Sequence, residues 1–220
     1  MTERTLSPLL CAVASLVLRY PSEDVLGRRS QLAEITELAG LRSDLPATPA
    51  GTALRRFLDW WQATPAGELQ RSYVETFDLH KRACLYLTYY LYGDRRQRGQ
   101  EFVRLKHVVE AEGYRFAGRE LPDYLPLLLE FAAREPVAGS AMLAEHRVGL
   151  ELLASALRDA GSPYADAVDA VRLGLPPLDE AGRAVVERLA AEGPPTETVG
   201  LEPFAPPEVM PESAWGTPPR

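Results

Sequence analysis

The sequence is poor in the residues from which small catalytic and metal sites are built. It has only 2 cysteines and 3 histidines in 220 residues, and neither Cys11 nor Cys84 has a second ligand at a metal-binding spacing. Zinc-protease, di-iron and diphosphate–magnesium motifs are missing, as are phosphate-binding glycine loops and serine nucleophile elbows. These absences predict a protein that is not an enzyme and that needs no cofactor or metal.

Long hydrophobic runs and an excess of positive charge are also absent. No run of about 18 apolar residues could span a bilayer, and segment 9–18 leads into Arg19, Tyr20 and Pro21 instead of the small residues of a signal-peptide cleavage site. The net charge of −7 opposes broad binding to phosphate backbones, so no nucleic-acid partner is expected. Together with two isolated cysteines, this composition predicts a cytoplasmic protein without direct membrane insertion.

Strand signals are sparse, whereas helix signals recur from the first residues onward. We predict an all-α fold of nine helices that form one compact bundle over residues 1–192. One helix face is defined by apolar side chains at helical spacing, which we expect to be buried: Leu54, Phe57, Leu58 and Trp61. Residues 193–220 contain eight prolines and four glutamates, and this Pro/Glu-rich tail is predicted to be disordered because it can bury little apolar surface.

Three local predictions concern the middle and the second half of the chain. Residues 83–92 are apolar or aromatic on nearly every side and predict a central helix. Asp94, with Gln97 three residues later, resembles a capping box that starts the next helix. The pattern over residues 140–160 predicts one long helix.

Several residues in this middle region have the chemistry of a binding site, although each also has a plainer explanation. Glu75 and Asp78 flank Phe77 and could share a helix edge, or be solvated charges at a helix end. A run of tyrosines could be core or could line a peptide groove: Tyr86, Tyr89, Tyr90 and Tyr92. A basic cluster in the first turn of a helix opposes the helix dipole and could face a partner: Arg95, Arg96 and Arg98. The histidines are expected at the surface or its boundary: His80, His107 and His146.

Around these residues the chain resembles the NarJ-type molybdenum cofactor assembly chaperones, the nitrate reductase delta subunit family. The resemblance is carried by a run of more than twenty residues with an unusual density of tyrosine, and it extends to shorter segments on either side. The matching segments are Tyr73–Asp78, Cys84–Asp94 with Arg98 and Gly99, Leu18–Pro21, and Glu120–Pro126.

The resemblance implies an all-helical chaperone that binds the apo form of the catalytic (alpha) subunit of respiratory nitrate reductase. It would hold that subunit competent for molybdenum cofactor insertion before membrane docking, with the subunit's leader-like N-terminal segment as main ligand. A basic, partly apolar leader suits an aromatic groove with an acidic rim. The predicted groove residues are Tyr73, Phe77, Tyr124 and Leu125, and the predicted rim residues are Glu75, Asp78 and Asp123.

Two alternatives stay open from the sequence. The client could be another molybdoenzyme with a twin-arginine leader. Alternatively, a small helical enzyme could act on a phosphorylated ligand held by Arg95, Arg96 and Arg98, with His80 or His107 as its base.

Overall fold

A computed structural model describes residues 5–38, 48–79, 82–116, 118 and 120–195. Over these ranges the β pairing is limited to one isolated bridge between Tyr86 and Tyr124, so the all-α prediction is confirmed. The described residues form twelve α-helices and one π-helical turn, Val74–Asp78, instead of the nine helices predicted. The α-helices are α1 (Pro8–Val17), α2 (Glu23–Gly27), α3 (Arg29–Leu38), α4 (Pro49–Ala63), α5 (Ala66–Tyr73), α6 (Tyr89–Tyr92), α7 (Arg96–Ala111), α8 (Leu125–Arg134), α9 (Pro136–Glu145), α10 (Arg147–Asp159), α11 (Tyr164–Gly174) and α12 (Glu180–Glu192).

Several helices begin where a short polar side chain can satisfy a free backbone N–H. Ser7 accepts a hydrogen bond from the Leu10 N–H, and Pro8 then occupies the first helical turn. Thr48 caps α4 in the same way, and Asp179 accepts from the Gly182 N–H at 2.8 Å to start α12. These helix starts follow directly from local sequence.

The core lies between α1, α4, α8, α10 and α11. Helix α4 packs along α11 and α1 packs along α8, while α10 lies against α11 and α12. The four residues predicted for the inner face of α4 are all buried, and Phe57 places its ring 5.3 Å from that of Tyr164 on α11. The periodicity of α4 therefore identified its core face correctly.

The prediction of one long helix over residues 140–160 is wrong, because the helix starts earlier and is divided into two. α9 begins at Pro136, and the chain bends at His146 before α10. The His146 ring is buried, with Nδ1 2.8 Å from the Met142 carbonyl oxygen and Nε2 3.2 Å from a Glu101 carboxylate oxygen on α7. A side chain that binds the carbonyl four residues earlier offers the backbone an alternative to a straight helix.

The chain's last segment is covered only in part. Residues 193–220 were predicted to be disordered, and of these the structure describes only 193–195. The prediction for residues 196–220 therefore lies outside the described residues. Among the helices of the described ranges, none combines the length and the apolar character needed to cross a membrane.

Candidate functional site

A surface groove of about 450 Å³ gathers most of the aromatic residues that the sequence singled out; we call it the tyrosine groove. Its wall combines apolar rings with two carboxylates, and its lining comes from three separate stretches of chain and from Tyr20. The lining residues are Tyr20, Tyr73, Phe77, Asp78, Ala83, Cys84, Leu85, Tyr86, Tyr89, Glu120 and Tyr124.

One side of the groove is formed by the π-helical turn that continues α5. The Leu79 N–H reaches back to the carbonyl of Val74 at 3.1 Å, one residue further than in an α-helix. The turn is tied to the loop before α11 by a hydrogen bond of 2.9 Å between the hydroxyls of Thr76 and Ser162. Phe77 is half-buried with its ring 4.7 Å from Tyr73, while Asp78 is exposed. The wider turn thus presents a ring and a carboxylate side by side.

The floor of the groove is extended chain, which corrects the helix predicted over residues 83–92. The Leu125 N–H donates to the Leu85 carbonyl at 2.8 Å, and the Leu87 N–H donates to the Asp123 carbonyl at 3.0 Å. Only Tyr89–Tyr92 is helical. Residues that are apolar on every side suit a buried extended segment as well as a helix, and pairing with a distant loop decided between them. This pairing packs the rings of Tyr86 and Tyr124 against each other with their centres 5.3 Å apart.

Two acidic side chains give the groove a negative rim. Asp78 and Glu120 are both exposed, and within the described ranges neither carboxylate forms an ion pair. The Tyr86 hydroxyl donates to Glu120 at 2.9 Å, which orients that carboxylate. Burial and this hydrogen bond raise the pKa of Tyr86, and burial also raises the pKa of Tyr124, so the tyrosine hydroxyls are neutral donors at physiological pH.

Four of the seven residues predicted to bind a peptide meet in this groove: Tyr73, Phe77, Asp78 and Tyr124. Glu75 is exposed one residue before the buried Thr76 and does not line the groove. Two locations were predicted wrongly, because Asp123 and Leu125 have no exposed surface. The pairing with segment 85–87 draws both residues inward, so neither stands at a rim or on a groove wall.

Comparison with known proteins covers this same part of the chain. The family model of the nitrate reductase delta subunit matches residues 43–170, which include every groove residue except Tyr20. The chain belongs to the nitrate reductase delta subunit family. The helices α1, α2, α3 and α12 lie outside the matched residues, whereas the groove segments after Tyr20 lie within them.

Named relatives agree with this membership. Over 159 residues the chain is 39% identical to the nitrate reductase-like protein NarX of Mycobacterium tuberculosis, a match that covers 72% of this chain but only 23% of that protein. It is 33% identical over 153 residues to the probable nitrate reductase molybdenum cofactor assembly chaperone NarJ of Bacillus subtilis, covering 69% of this chain and 80% of the relative. The chaperone NarJ of Escherichia coli is 33% identical over 154 residues, with coverage of 70% and 64%. The NarJ relatives are named as chaperones, which agrees with the prediction of a non-enzyme.

The three arginines of the basic cluster predicted to face a partner differ in their exposure to solvent. Arg95 and Arg96 are exposed at the start of α7, but the Arg98 side chain is only 15% exposed and forms an ion pair with Asp123. The predicted capping box is absent as well, because Arg95 stands at the N-cap position and its side chain does not cap the helix, while Asp94 lies 3.6 Å from Arg98. The three arginines therefore do not converge on one exposed phosphate site.

The histidines have no shared site in the described part of the chain. His107 is exposed and His146 is buried, so only the former has the expected placement; His80 lies outside the described residues. No group of three His, Cys, Asp or Glu side chains within those residues could hold a metal ion.

Sequence reasoning missed several residues of the groove. Tyr86 and Tyr89 were left undecided between core and groove, and they prove to line it while Tyr90 is buried. Glu120 and Tyr20 were quoted only as parts of matching segments. Glu120 could have been identified from its charge, because it lies close in sequence to the loop that contains Tyr124. Tyr20 could not, because no local pattern relates it to groove residues that lie 50 or more positions away.

Proposed function

We propose that this protein is an assembly chaperone for respiratory nitrate reductase. Its client is the apo catalytic subunit, which it keeps competent for molybdenum cofactor insertion until that subunit docks on the membrane. The leader-like N-terminal segment of the client binds in the tyrosine groove, and this binding takes place in the cytoplasm. Family membership and the names of the NarJ relatives support the chaperone role.

The observation that carries the proposal is an aromatic groove with two carboxylates at its rim that form no ion pair within the described ranges. A leader segment that folds as an amphipathic helix offers an apolar face for the rings and basic side chains for the rim. Charge-assisted hydrogen bonds to Asp78 and Glu120 select a basic segment over an acidic one. Tyr20, which lines the groove, is an exposed large apolar side chain, and so are Leu79 and Leu121, which follow the lining residues Asp78 and Glu120 in the chain.

Calorimetry with a synthetic leader peptide of the catalytic subunit tests the groove. We expect Asp78→Asn and Glu120→Gln each to weaken binding about fivefold, because each removes a partly exposed ionic contact worth about 1 kcal/mol. Glu110→Gln is the matched control, since Glu110 is exposed on α7 outside the groove lining. Unchanged affinity in both groove variants would exclude the groove as the leader site.

Co-purification from nitrate-respiring cells tests the client. We expect the tagged protein to retain the apo catalytic subunit of nitrate reductase, and to lose it when Phe77→Asp places a charge in the groove. Recovery of a different apo molybdoenzyme would keep the chaperone role but change the client.

A further inference from the structure

A buried polar network lies directly behind the tyrosine groove. Asp123 and Thr88 have no exposed surface, and the Thr88 hydroxyl donates to Asp123 Oδ2 at 2.5 Å. Arg98 joins the same two groups, donating to Asp123 Oδ2 at 3.2 Å and to the Thr88 hydroxyl at 3.3 Å. The network therefore links α7, the turn before α6 and the loop before α8.

The guanidinium of Arg98 also contacts the back of the groove wall. Its central carbon lies 5.9 Å from the ring centre of Tyr86 and 5.6 Å from that of Tyr89, and both tyrosines line the groove. A third ring, that of Phe102 on α7, lies 5.2 Å away. The Arg98 cation is itself held by Asp123, and it attracts several rings at once. This cation–π attraction therefore restricts the orientation of the tyrosine rings.

Stability alone is a weak reason for this arrangement. A buried ion pair loses most of its Coulomb energy to desolvation, and apolar residues of similar volume often stabilise a core as well. Asp123 is not fully satisfied either, since its Oδ1 atom receives no hydrogen bond from the described residues. An ion pair with a planar cation does achieve something that apolar packing cannot, which is to fix the direction of the aromatic rings in front of it.

We infer that Arg98, Asp123 and Thr88 are positioning residues that hold Tyr86 and Tyr89 in the conformation that keeps the tyrosine groove formed. They do not touch the ligand. The effect on ligand affinity rests on the proposed function, whereas the effect on the shape of the groove does not.

The two cysteines provide a readout that needs no ligand. Cys84 is half-buried and lines the groove, whereas Cys11 is fully buried in α1. Burial raises the pKa of both thiols, to about 12 for Cys11. Alkylation by N-ethylmaleimide, followed by peptide mass spectrometry, therefore measures groove opening at Cys84 and global unfolding at Cys11 in the same sample.

The first variant is Arg98→Lys, which keeps the charge beside Asp123 and Cys84 but loses the planar group that makes the cation–π contacts with the rings. We expect alkylation of Cys84 to accelerate about tenfold while the rate at Cys11 stays unchanged. Arg104→Lys is the matched control, because Arg104 lies on the same helix and pairs with Glu101 and Glu145 instead. Thr88→Val is the second variant, which keeps the side-chain shape and removes the shared hydroxyl. We expect it also to accelerate the alkylation of Cys84.

The outcomes separate the inference from the proposed function. An unchanged Cys84 rate in both variants, or equal acceleration at Cys84 and Cys11, would overturn the positioning role. Leader peptide affinity should fall about tenfold in Arg98→Lys if the groove binds the leader. A wild-type protein that binds no leader peptide, together with the expected Cys84 acceleration, would contradict the proposed function alone.

Discussion

The helical core and the tyrosine groove are built in different ways. In the core, regular helices such as α4 and α11 bury apolar side chains at helical spacing, and the backbone satisfies its own hydrogen bonds. In the groove, a π-helical turn and an extended segment leave the backbone dependent on distant partners such as the Asp123 carbonyl and on side chains such as Tyr90, whose hydroxyl accepts from the Cys84 N–H. The core therefore provides stability, while the groove provides an irregular, chemically mixed surface.

The largest effect should follow from a substitution in the core. Trp61 is fully buried, with the Arg29 guanidinium 5.0 Å from its ring centre. We expect Trp61→Ala to lower the free energy of unfolding by about 4 kcal/mol, because it leaves a large cavity. Urea unfolding followed by circular dichroism measures this change. Asp59→Ala, at an exposed position of the same helix, should change stability by less than about 0.5 kcal/mol; a similar loss in both variants would contradict the distinction.

A glycine on α10 forms the junction between core and groove. A Cβ atom at Gly149 would lie 2.6 Å from the Leu87 carbonyl oxygen of the groove floor, which is too close for a non-bonded contact. We expect Gly149→Ala to lower the unfolding free energy by about 2 kcal/mol and to weaken leader binding, since the floor must shift. Thermal unfolding and calorimetry measure the two effects.

Gly99 on α7 is the control for that junction. Nothing lies within 4 Å of a Cβ atom placed there, so Gly99→Ala should stabilise the protein by about 0.5–1 kcal/mol through better helix propensity. Equal effects at the two glycines would show that the close approach at Gly149 is unimportant.

A smaller effect should depend on pH. Burial would raise the pKa of Glu101, but the hydrogen bonds and charges of Arg104 and His146 outweigh it, so the pKa lies below its usual value. Because the pKa is lower in the folded state, this stabilisation is present above the unfolded pKa of about 4.3 and is lost as the pH falls through the lower folded value. Urea titrations should therefore find Glu101→Gln less stable than wild type by about 1 kcal/mol at pH 6 and nearly equal to it at pH 3. A difference that is constant with pH would contradict this assignment.

The smallest stability effect is expected at the groove rim. Asp78 is exposed, so Asp78→Asn should change the unfolding free energy by less than about 0.5 kcal/mol. Thermal unfolding of the variant should overlay that of wild type, even though leader binding is weakened. A clear loss of stability would mean that Asp78 is a structural residue and would weaken the separation of core from groove.

Local patterns predicted the core well and the groove poorly. Ser7–Pro8 predicted the start of α1, and the spacing of residues on α4 predicted its buried face, because both depend on neighbours within one or two turns. The extended segment 85–87 could not be predicted in this way, since its hydrogen-bonding partners lie more than 30 positions away. Asp123 and Leu125 were misplaced for the same reason.

The helical class, the starts of several helices and the family follow from the amino-acid sequence alone, because they depend on local propensity and on a long run of matching residues. It also contained Tyr73, Phe77, Asp78 and Tyr124 as candidates. Which charges face solvent, in contrast, depends on the tertiary structure. Pairing of the loop before α8 with segment 85–87 turned Asp123 inward, where Arg98 pairs with it, and left Glu120 at the rim, since burial is a property of the assembled fold and not of the residue.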